Sequence, residues 1–348
     1  MVGGRAVWRV SLSAVTSNLR RVARFARKKV VAVVKADAYG HGAEAVARAL
    51  EPLEEVLAFA VAHPFEGAAL RRAGIRKPIL VLFGFLPEEV KLVKSYRLTP
   101  VVGTHRQLQT VLNLRLPYHL NVDTGMGRCG FLVPPYDLLR RFPPEGVMTH
   151  FPSAEGDPAF TLRQIRRFYQ LAKPFRGRSL FHLQNSAGLT YSVPFAGAVR
   201  VGITLYGELP SPSLKGKLPE LEFPSEVWAP ILSVRLLPAG SCISYGCRYR
   251  LKRDSFVGVI PFGYADGLRR PLSNRLKVFY GEREFPIVGS VTMDLAAVDF
   301  GSFRPREGER VVLVDRRRTF SDWARLLGTI PYEVMTSFGK RVVRTYER

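Results

Sequence analysis

Between residues 30 and 207 the chain alternates regularly between two textures, and that alternation limits most what it can fold into. Strand-like apolar runs stand at Val30–Lys35, Leu57–Ala62, Ile79–Phe83, Thr99–Val102, Tyr118–Val122, Val147–His150, Leu180–Leu183 and Val199–Leu205. Helix-like segments such as Pro64–Ala73, Pro87–Tyr96 and Phe160–Ala172 lie between most of them. Apolar runs of this kind suit strands covered on both faces, and strands joined by helical crossovers lie parallel. The series predicts an α/β fold, a (β/α)8 barrel of the TIM type. The Pro-, Gly- and Ser-rich stretch Gly207–Pro224 reads as a linker. Beyond it, short runs rich in Val, Ile, Phe and Tyr are divided by Gly and Pro, with one helix-like segment at Ser321–Leu327. That texture predicts a mainly β C-terminal domain. The expected division is a barrel over residues 5–221 and a β domain over 222–348, and a length of 348 suits one large and one smaller domain.

In such a barrel the chemistry sits at the C-terminal ends of the strands. The first run, VVAVV, leads directly into Lys35, and Asp37, Gly40 and Gly42 follow. Desolvation at a strand mouth lowers the pKa of a lysine and makes its amine a nucleophile toward aldehydes. A lysine that snorkels out at a strand end is the competing reading. Other strand ends carry Asp123 to Arg128 in VDTGMGRCG, His150 in MTHF, Asn185 and Ser186 in HLQNSAG, and Arg200 in VRVGITLYG. Gly125 and Gly127 free the backbone beside Arg128, whose guanidinium can clamp a carboxylate with two hydrogen bonds. The NSAG and VGI segments can present N–H groups and a hydroxyl to a phosphate. One such group means little alone; the information lies in their convergence on one mouth.

Composition excludes several classes. No stretch reaches the ~18 uninterrupted apolar residues of a membrane span. The N-terminus shows no secretory pattern, so a cytoplasmic protein is expected. Three cysteines, Cys129, Cys242 and Cys247, argue against a disulfide framework, and no pair of His or Cys stands near Cys242 and Cys247 to complete a metal site. The chain has 52 Lys+Arg against 29 Asp+Glu, a formal charge of +23. The basic residues are scattered in short groups without a basic tail, which favours a solvated cationic surface over a nucleic-acid partner.

The segments VVKADAYGHG, VDTGMGRCGF, MTHFPSAE, NSAG, VRVGITLYG, ISYG, GYADG, VTMD and IPYEV together resemble the alanine racemases, in that family's order, from about Lys35 to Tyr332. The resemblance implies a homodimeric, pyridoxal 5'-phosphate-dependent enzyme that interconverts L- and D-alanine by a two-base mechanism and supplies D-alanine for peptidoglycan. It implies that Lys35 carries the cofactor covalently and is one base. Tyr245, reaching the site from the partner subunit, is the other. Tyr39, Ser186, Gly202, Ile203 and Tyr332 would bind the phosphate, with Asn185 beside them. Arg200 would face the pyridine nitrogen, with His150 between Arg200 and Tyr245. Arg128 and the Met293 backbone would hold the substrate carboxylate, and Tyr264 would line the entrance from the partner. Two residues depart from the family's pattern. Asn121 stands where a modified lysine is common, and Ser290 where an arginine is usual. Rival readings are a racemase for another small amino acid, a cofactor-binding protein without activity, and a nucleic-acid-binding protein.

Overall fold

A computed structural model describes residues 6–347. The chain forms two compact units. One is Ala14–Glu222; the other joins the N-terminal segment through Ser13 to everything from Phe223 onward.

The first unit is the expected barrel. Its strands are β2 (Lys29–Val33), β3 (Val56–Val61), β4 (Ile79–Val81), β5 (Thr99–Val102), β6 (His119–Asn121), β7 (Gly146–Met148), β8 (Leu180–His182) and β9 (Ala198–Val201). They form one eight-stranded sheet in the order β8-β7-β6-β5-β4-β3-β2-β9, with every pair parallel. Between the end strands, Gly197 N donates to Phe181 O at 2.8 Å and Arg200 N to Gln184 O at 2.9 Å, which draws the sheet toward closure. The apolar runs are mostly buried, with Leu57, Leu82, Phe83 and Leu180 half-buried, as strands lying under helices require. The strands are shorter than the runs suggested. β2 stops at Val33, which leaves Val34 and Lys35 beyond its end. The last run is split: β9 ends at Val201, and Ile203–Tyr206 is a 3-10 helix.

The second unit is mainly β, with strands β10 (Ser225–Pro230), β11 (Ser233–Leu237), β12 (Ser255–Ile260), β13 (Lys277–Tyr280), β14 (Arg283–Val288), β15 (Ala296–Asp299), β16 (Arg310–Val314) and β17 (Val342–Glu347). One boundary differs from expectation. The N-terminal strand β1 (Ala6–Ser11) does not belong to the barrel. It pairs antiparallel with β10 and parallel with β17, so the nine-stranded sheet of this unit is made from both ends of the chain. The strict alternation of buried and half-buried residues along AVWRVS marks a strand with one covered face. Trp8 is its anchor. The indole is fully buried, with ring centroids 5.1 Å from Phe320 and 4.9 Å from Phe338.

Many basic side chains are spent on backbone carbonyls rather than on carboxylates. Arg71 donates to the carbonyls of Tyr96, Ile75, Lys77 and Arg97. Lys77 Nζ donates to those of Leu53 and Val56, and Arg344 to those of Phe338, Gly339 and Val342. No helix among the described residues is long and apolar enough to cross a membrane.

Trp8→Ala should therefore destabilise the β unit although Trp8 lies more than two hundred residues from its next strand. A loss of about 3–5 kcal/mol is expected for removing a buried indole, read from chemical unfolding followed by a probe in that unit.

Candidate active site at the barrel mouth

Lys35 is half-buried, and among the described residues its amine makes no hydrogen bond or ion pair. It lies over the Phe83 ring, 5.4 Å from the centroid, and the Arg128 guanidinium lies over the same ring at 5.0 Å. Burial first, and then the charge of Arg128, lower the pKa of the Lys35 amine; Glu66 opposes them. Glu66 is held in place by the chain, accepting from Ala36 N at 2.7 Å and from Ala62 N at 2.7 Å.

After Lys35 the backbone turns the wrong way for L-residues. Ala36, Asp37, Ala38 and Tyr39 have φ of 51°, 53°, 53° and 56°, and Gly40 follows at 85°. This left-handed turn is held by Ala38 N to Val34 O at 2.9 Å, Gly40 N to Ala36 O at 3.0 Å and Gly42 N to Asp37 O at 2.9 Å. Its product is the placement of Tyr39. A Cβ at Gly202 would overlap the Tyr39 hydroxyl, so glycine is required there for the ring to fit. Gly202 N donates to Ser186 Oγ at 3.3 Å, and Ser186 Oγ lies 3.3 Å from Thr204 Oγ1. Ile203 opens the 3-10 helix, so its N–H has no acceptor within that helix. Tyr39, Ser186, Gly202 and Ile203 are thus one cluster of small donors. Asn185 is occupied differently: its amide donates to Phe151 O at 3.0 Å and accepts from Gly188 N at 2.8 Å, which shapes the loop that carries Ser186.

Arg200 is buried in β9, beside Val31 of β2, without a carboxylate partner among the described residues. It donates to the carbonyls of Thr149 at 2.6 Å, Leu183 at 3.2 Å and His182, and to the ring nitrogens Nδ1 of His182 at 3.0 Å and of His150 at 3.4 Å. Burial, then Arg128, push it down to about 9, so it remains cationic at neutral pH. Its charge acts on the histidines. His150 is pushed down to about 3, by burial first and then by Arg200, Arg128 and Lys35. His182 is held well below its usual range, and His119 falls to about 4. Because Arg200 donates to His182 Nδ1, the proton of that ring belongs on Nε2, facing His119 Nδ1 at 2.8 Å. Neither His119 nor His182 stood out in the sequence, where each reads as part of a strand. The neutral state of His150 also means that it supplies no positive charge; among the groups around it, Arg200 does.

Arg128 sits in a loop built by Asp123. The Asp123 carboxylate accepts from the N–H groups of Gly125 and Met126 at 2.8 Å and of Gly127 at 2.9 Å. Asn121 Nδ2 donates to Cys129 O at 2.9 Å. Asn121 therefore holds the backbone next to Arg128 rather than its guanidinium, and Phe83 supplies the surface on which that guanidinium rests.

The remaining candidates lie on the β unit. Tyr245 is 74% exposed, Met293 53% and Tyr264 42%. Tyr264 N donates to Thr292 O and Ala265 N to Met293 O, both at 3.0 Å, so the GYADG and VTMD segments are joined. Arg341 clamps them, with Nε and Nη2 on the buried Asp266 carboxylate at 2.8 and 2.9 Å and Nη1 on Asp294 at 2.7 Å. Ser244 Oγ donates to Ser290 O at 2.7 Å, and Ser290 Oγ donates back to Tyr245 O at 3.0 Å. Tyr332 is half-buried in the short helix Pro331–Thr336. Of the three cysteines, Cys242 and Cys247 form one local disulfide rather than a framework.

A parallel barrel with a desolvated lysine at a strand mouth, unpaired among the described residues and beside Arg128, together with the buried Arg200 and a cluster of small donors, defines a class. It is that of barrel enzymes that bind an aldehyde cofactor bearing a phosphate. Residues 10–210 match the profile of the alanine racemase N-terminal domain, and residues 225–346 that of its C-terminal domain. The chain is 43% identical to the alanine racemase of Aquifex pyrophilus and 41% identical to that of Aquifex aeolicus, over 98% of each chain in both cases. Its structure matches that of a Clostridium difficile alanine racemase with a TM-score of 0.92 at 30% identity, over 100% of this chain and 97% of the other. A Bartonella henselae alanine racemase with covalently bound pyridoxal phosphate matches with a TM-score of 0.87 at 27% identity, over 99% of each. The chain belongs to the alanine racemase family, whose enzymes are pyridoxal-phosphate-dependent isomerases.

The neutral histidines give a pH signature. The folded values of His119 and His150, about 4 and about 3, lie below the ~6.5 of an unfolded chain. Between those limits the unfolded chain binds more protons than the folded one, so stability is full above about pH 6.5 and falls as the pH drops. Unfolding free energy measured from pH 7 to 4 should show that decline, and His150→Asn should make it shallower.

Proposed function

We infer that this chain racemises alanine with pyridoxal phosphate, that Lys35 and Tyr245 are its two bases, and that it acts as a homodimer. The observation that carries the reading is the Lys35 amine, desolvated, without a hydrogen-bonding partner among the described residues, and beside the Arg128 guanidinium. The cluster around it suits the cofactor. Tyr39, Ser186 and the N–H groups of Gly202 and Ile203 would hold the phosphate, joined by Tyr332, while Asn185 keeps the Ser186 loop in shape. The overlap that a Cβ at Gly202 would make with Tyr39 shows how closely that cluster is fitted. When bound, the cofactor supplies the electron sink that makes the α-proton of the amino acid removable.

The chain supplies position and protons. Arg128 and the Met293 backbone take the substrate carboxylate. The lowered pKa of Lys35 raises the fraction of its amine that is free to accept a proton at Nζ. Tyr245 Oη would act on the opposite face of the substrate. A free tyrosine ionises near pH ~10, so it needs positive charge nearby, and Arg200 carries that charge since His150 is neutral. Arg200 keeps its own proton at neutral pH, so it would face the pyridine nitrogen as a hydrogen-bond donor and give it no proton. A cofactor held in this way would be a weaker electron sink than one facing a carboxylate, which would limit side reactions. The exposure of Tyr245, Tyr264 and Met293 supports a second copy of the chain completing the site. The reading places the enzyme in the cytoplasm, feeding D-alanine to peptidoglycan synthesis.

The test is circular dichroism of L-alanine incubated with the holoenzyme. The signal should decay to zero as the racemate forms. Lys35→Ala should lose the cofactor's lysine-bound absorbance and all activity. Tyr245→Phe should keep that absorbance and lose roughly 10²–10⁴-fold in kcat, the usual share of a general base. Full activity in Tyr245→Phe would remove Tyr245 from the mechanism.

A further inference from the structure

The Cys242–Cys247 disulfide closes a small ring around one functional residue. Four residues lie inside it, Ile243, Ser244, Tyr245 and Gly246, and Tyr245 stands at the tip with its side chain exposed. The backbone of this ring is costly. Ser244 has φ 63° and ψ −173°, a region that only glycine visits freely. Gly246 and Cys247 also have positive φ, of 75° and 46°. Such a turn persists only when its surroundings hold it.

The base of the ring is well held. Ile243 packs into a buried cluster with Leu251, Val257 and Val288, and Ile243 N donates to Tyr249 O at 3.0 Å. The tip is held by less. Across from it, the two serine hydroxyls of Ser244 and Ser290 bind backbone carbonyls, and Ser290 is buried. The segment after the turn returns to the one before it through a β-bridge between Cys242 and Arg250 and through Leu251 N donating to Ser241 O at 3.1 Å, and the covalent link adds a tie closer to the tip, from Cys247 back to Cys242. Without it the peptide from Tyr245 to Cys247 could relax out of its positive-φ conformation, and the ring of Tyr245 would move with it. A displacement of about 1 Å at a reacting group is enough to cost ~10²-fold in rate.

We propose that the Cys242–Cys247 disulfide is a positioning element of the active site, which fixes the strained turn that aims the Tyr245 hydroxyl. The proposal rests on the reading of Tyr245 as a base. It makes a one-sided prediction. Removing the bridge weakens proton transfer at Tyr245 and leaves that at Lys35 unchanged, because Lys35 is set by the barrel alone.

The experiment uses the holoenzyme of wild type and of Cys242→Ser/Cys247→Ser. Alkylation of the unfolded wild type under non-reducing conditions, followed by intact mass, establishes the bridge: Cys129 alone should be modified. Solvent-deuterium incorporation is then followed separately into L-alanine and D-alanine at early times, beside cofactor absorbance and KM. The variant should exchange one enantiomer about tenfold or more slowly, exchange the other at the wild-type rate, and keep its absorbance and KM. Equal rates for both enantiomers, or equal loss for both, would overturn the proposal. So would fully active wild type with all three cysteines alkylated. Should the variant fail to fold, wild type treated with a water-soluble phosphine gives the same comparison; the phosphine takes up oxygen from water as the disulfide becomes two thiols. Tyr245→Phe separates the two ideas. Loss of one-sided exchange in Tyr245→Phe, but not on removal of the bridge, would sink the positioning role and keep the base. Normal exchange in Tyr245→Phe would sink the base itself.

Discussion

Arg200 sets the terms for the barrel interior. A guanidinium cannot be stripped of water without hydrogen-bond acceptors, and carboxylates are the usual ones. Here carbonyls of Thr149, His182 and Leu183 and two imidazoles take that part. They satisfy its donors and leave its charge uncancelled. That charge is felt by His119, His150 and His182, which stay neutral, and Arg128 adds to it at Lys35. The mouth thus carries Arg200, Arg128 and Lys35, with the Glu66 carboxylate acting against them at Lys35.

The loops around Arg200 carry conformations that the chain would not choose alone. Four successive L-residues after Lys35 take left-handed dihedrals, at a cost on the order of 1–2 kcal/mol each. Local hydrogen bonds and the Glu66 carboxylate on Ala36 N hold the turn. Asp123 does similar work for the loop of Arg128, gathering three backbone N–H groups on one side chain. Strain of this kind collects where a side chain must be aimed rather than merely buried. Tyr39 and Arg128 are the two side chains aimed.

The barrel could be read from the sequence because its signal is local. Each apolar run buries both faces of one strand, and the helices between them leave a parallel sheet as the outcome. Lys35 could be read for the same reason, as a polar residue that ends an apolar run. Strand β1 was hidden by distance: AVWRVS alternates plainly, but its partners β10 and β17 lie more than two hundred residues on. His119 and His182 look like strand residues until the barrel brings them to Arg200. The left-handed turn has no signature in KADAY, where two alanines suggest an ordinary helix. Tyr245, Tyr264 and Met293 came from family resemblance, since nothing in their surroundings in the chain implies chemistry. The disulfide was hidden because two cysteines five positions apart permit a bridge without requiring one, and the decision lies in the backbone of the turn between them.

The cations that bind carbonyls explain part of the charge imbalance. An arginine such as Arg71, wrapped around four carbonyls, ties separate loops together as firmly as an ion pair would, yet consumes no acidic residue. The fold can thus use many basic side chains as cross-links without a matching set of carboxylates. Its cohesion is carried by dipoles and its surface field is left positive. Added salt thins that field while barely touching the cross-links beneath it, so ionic strength acts on how molecules of this protein meet one another far more than on how each one holds together.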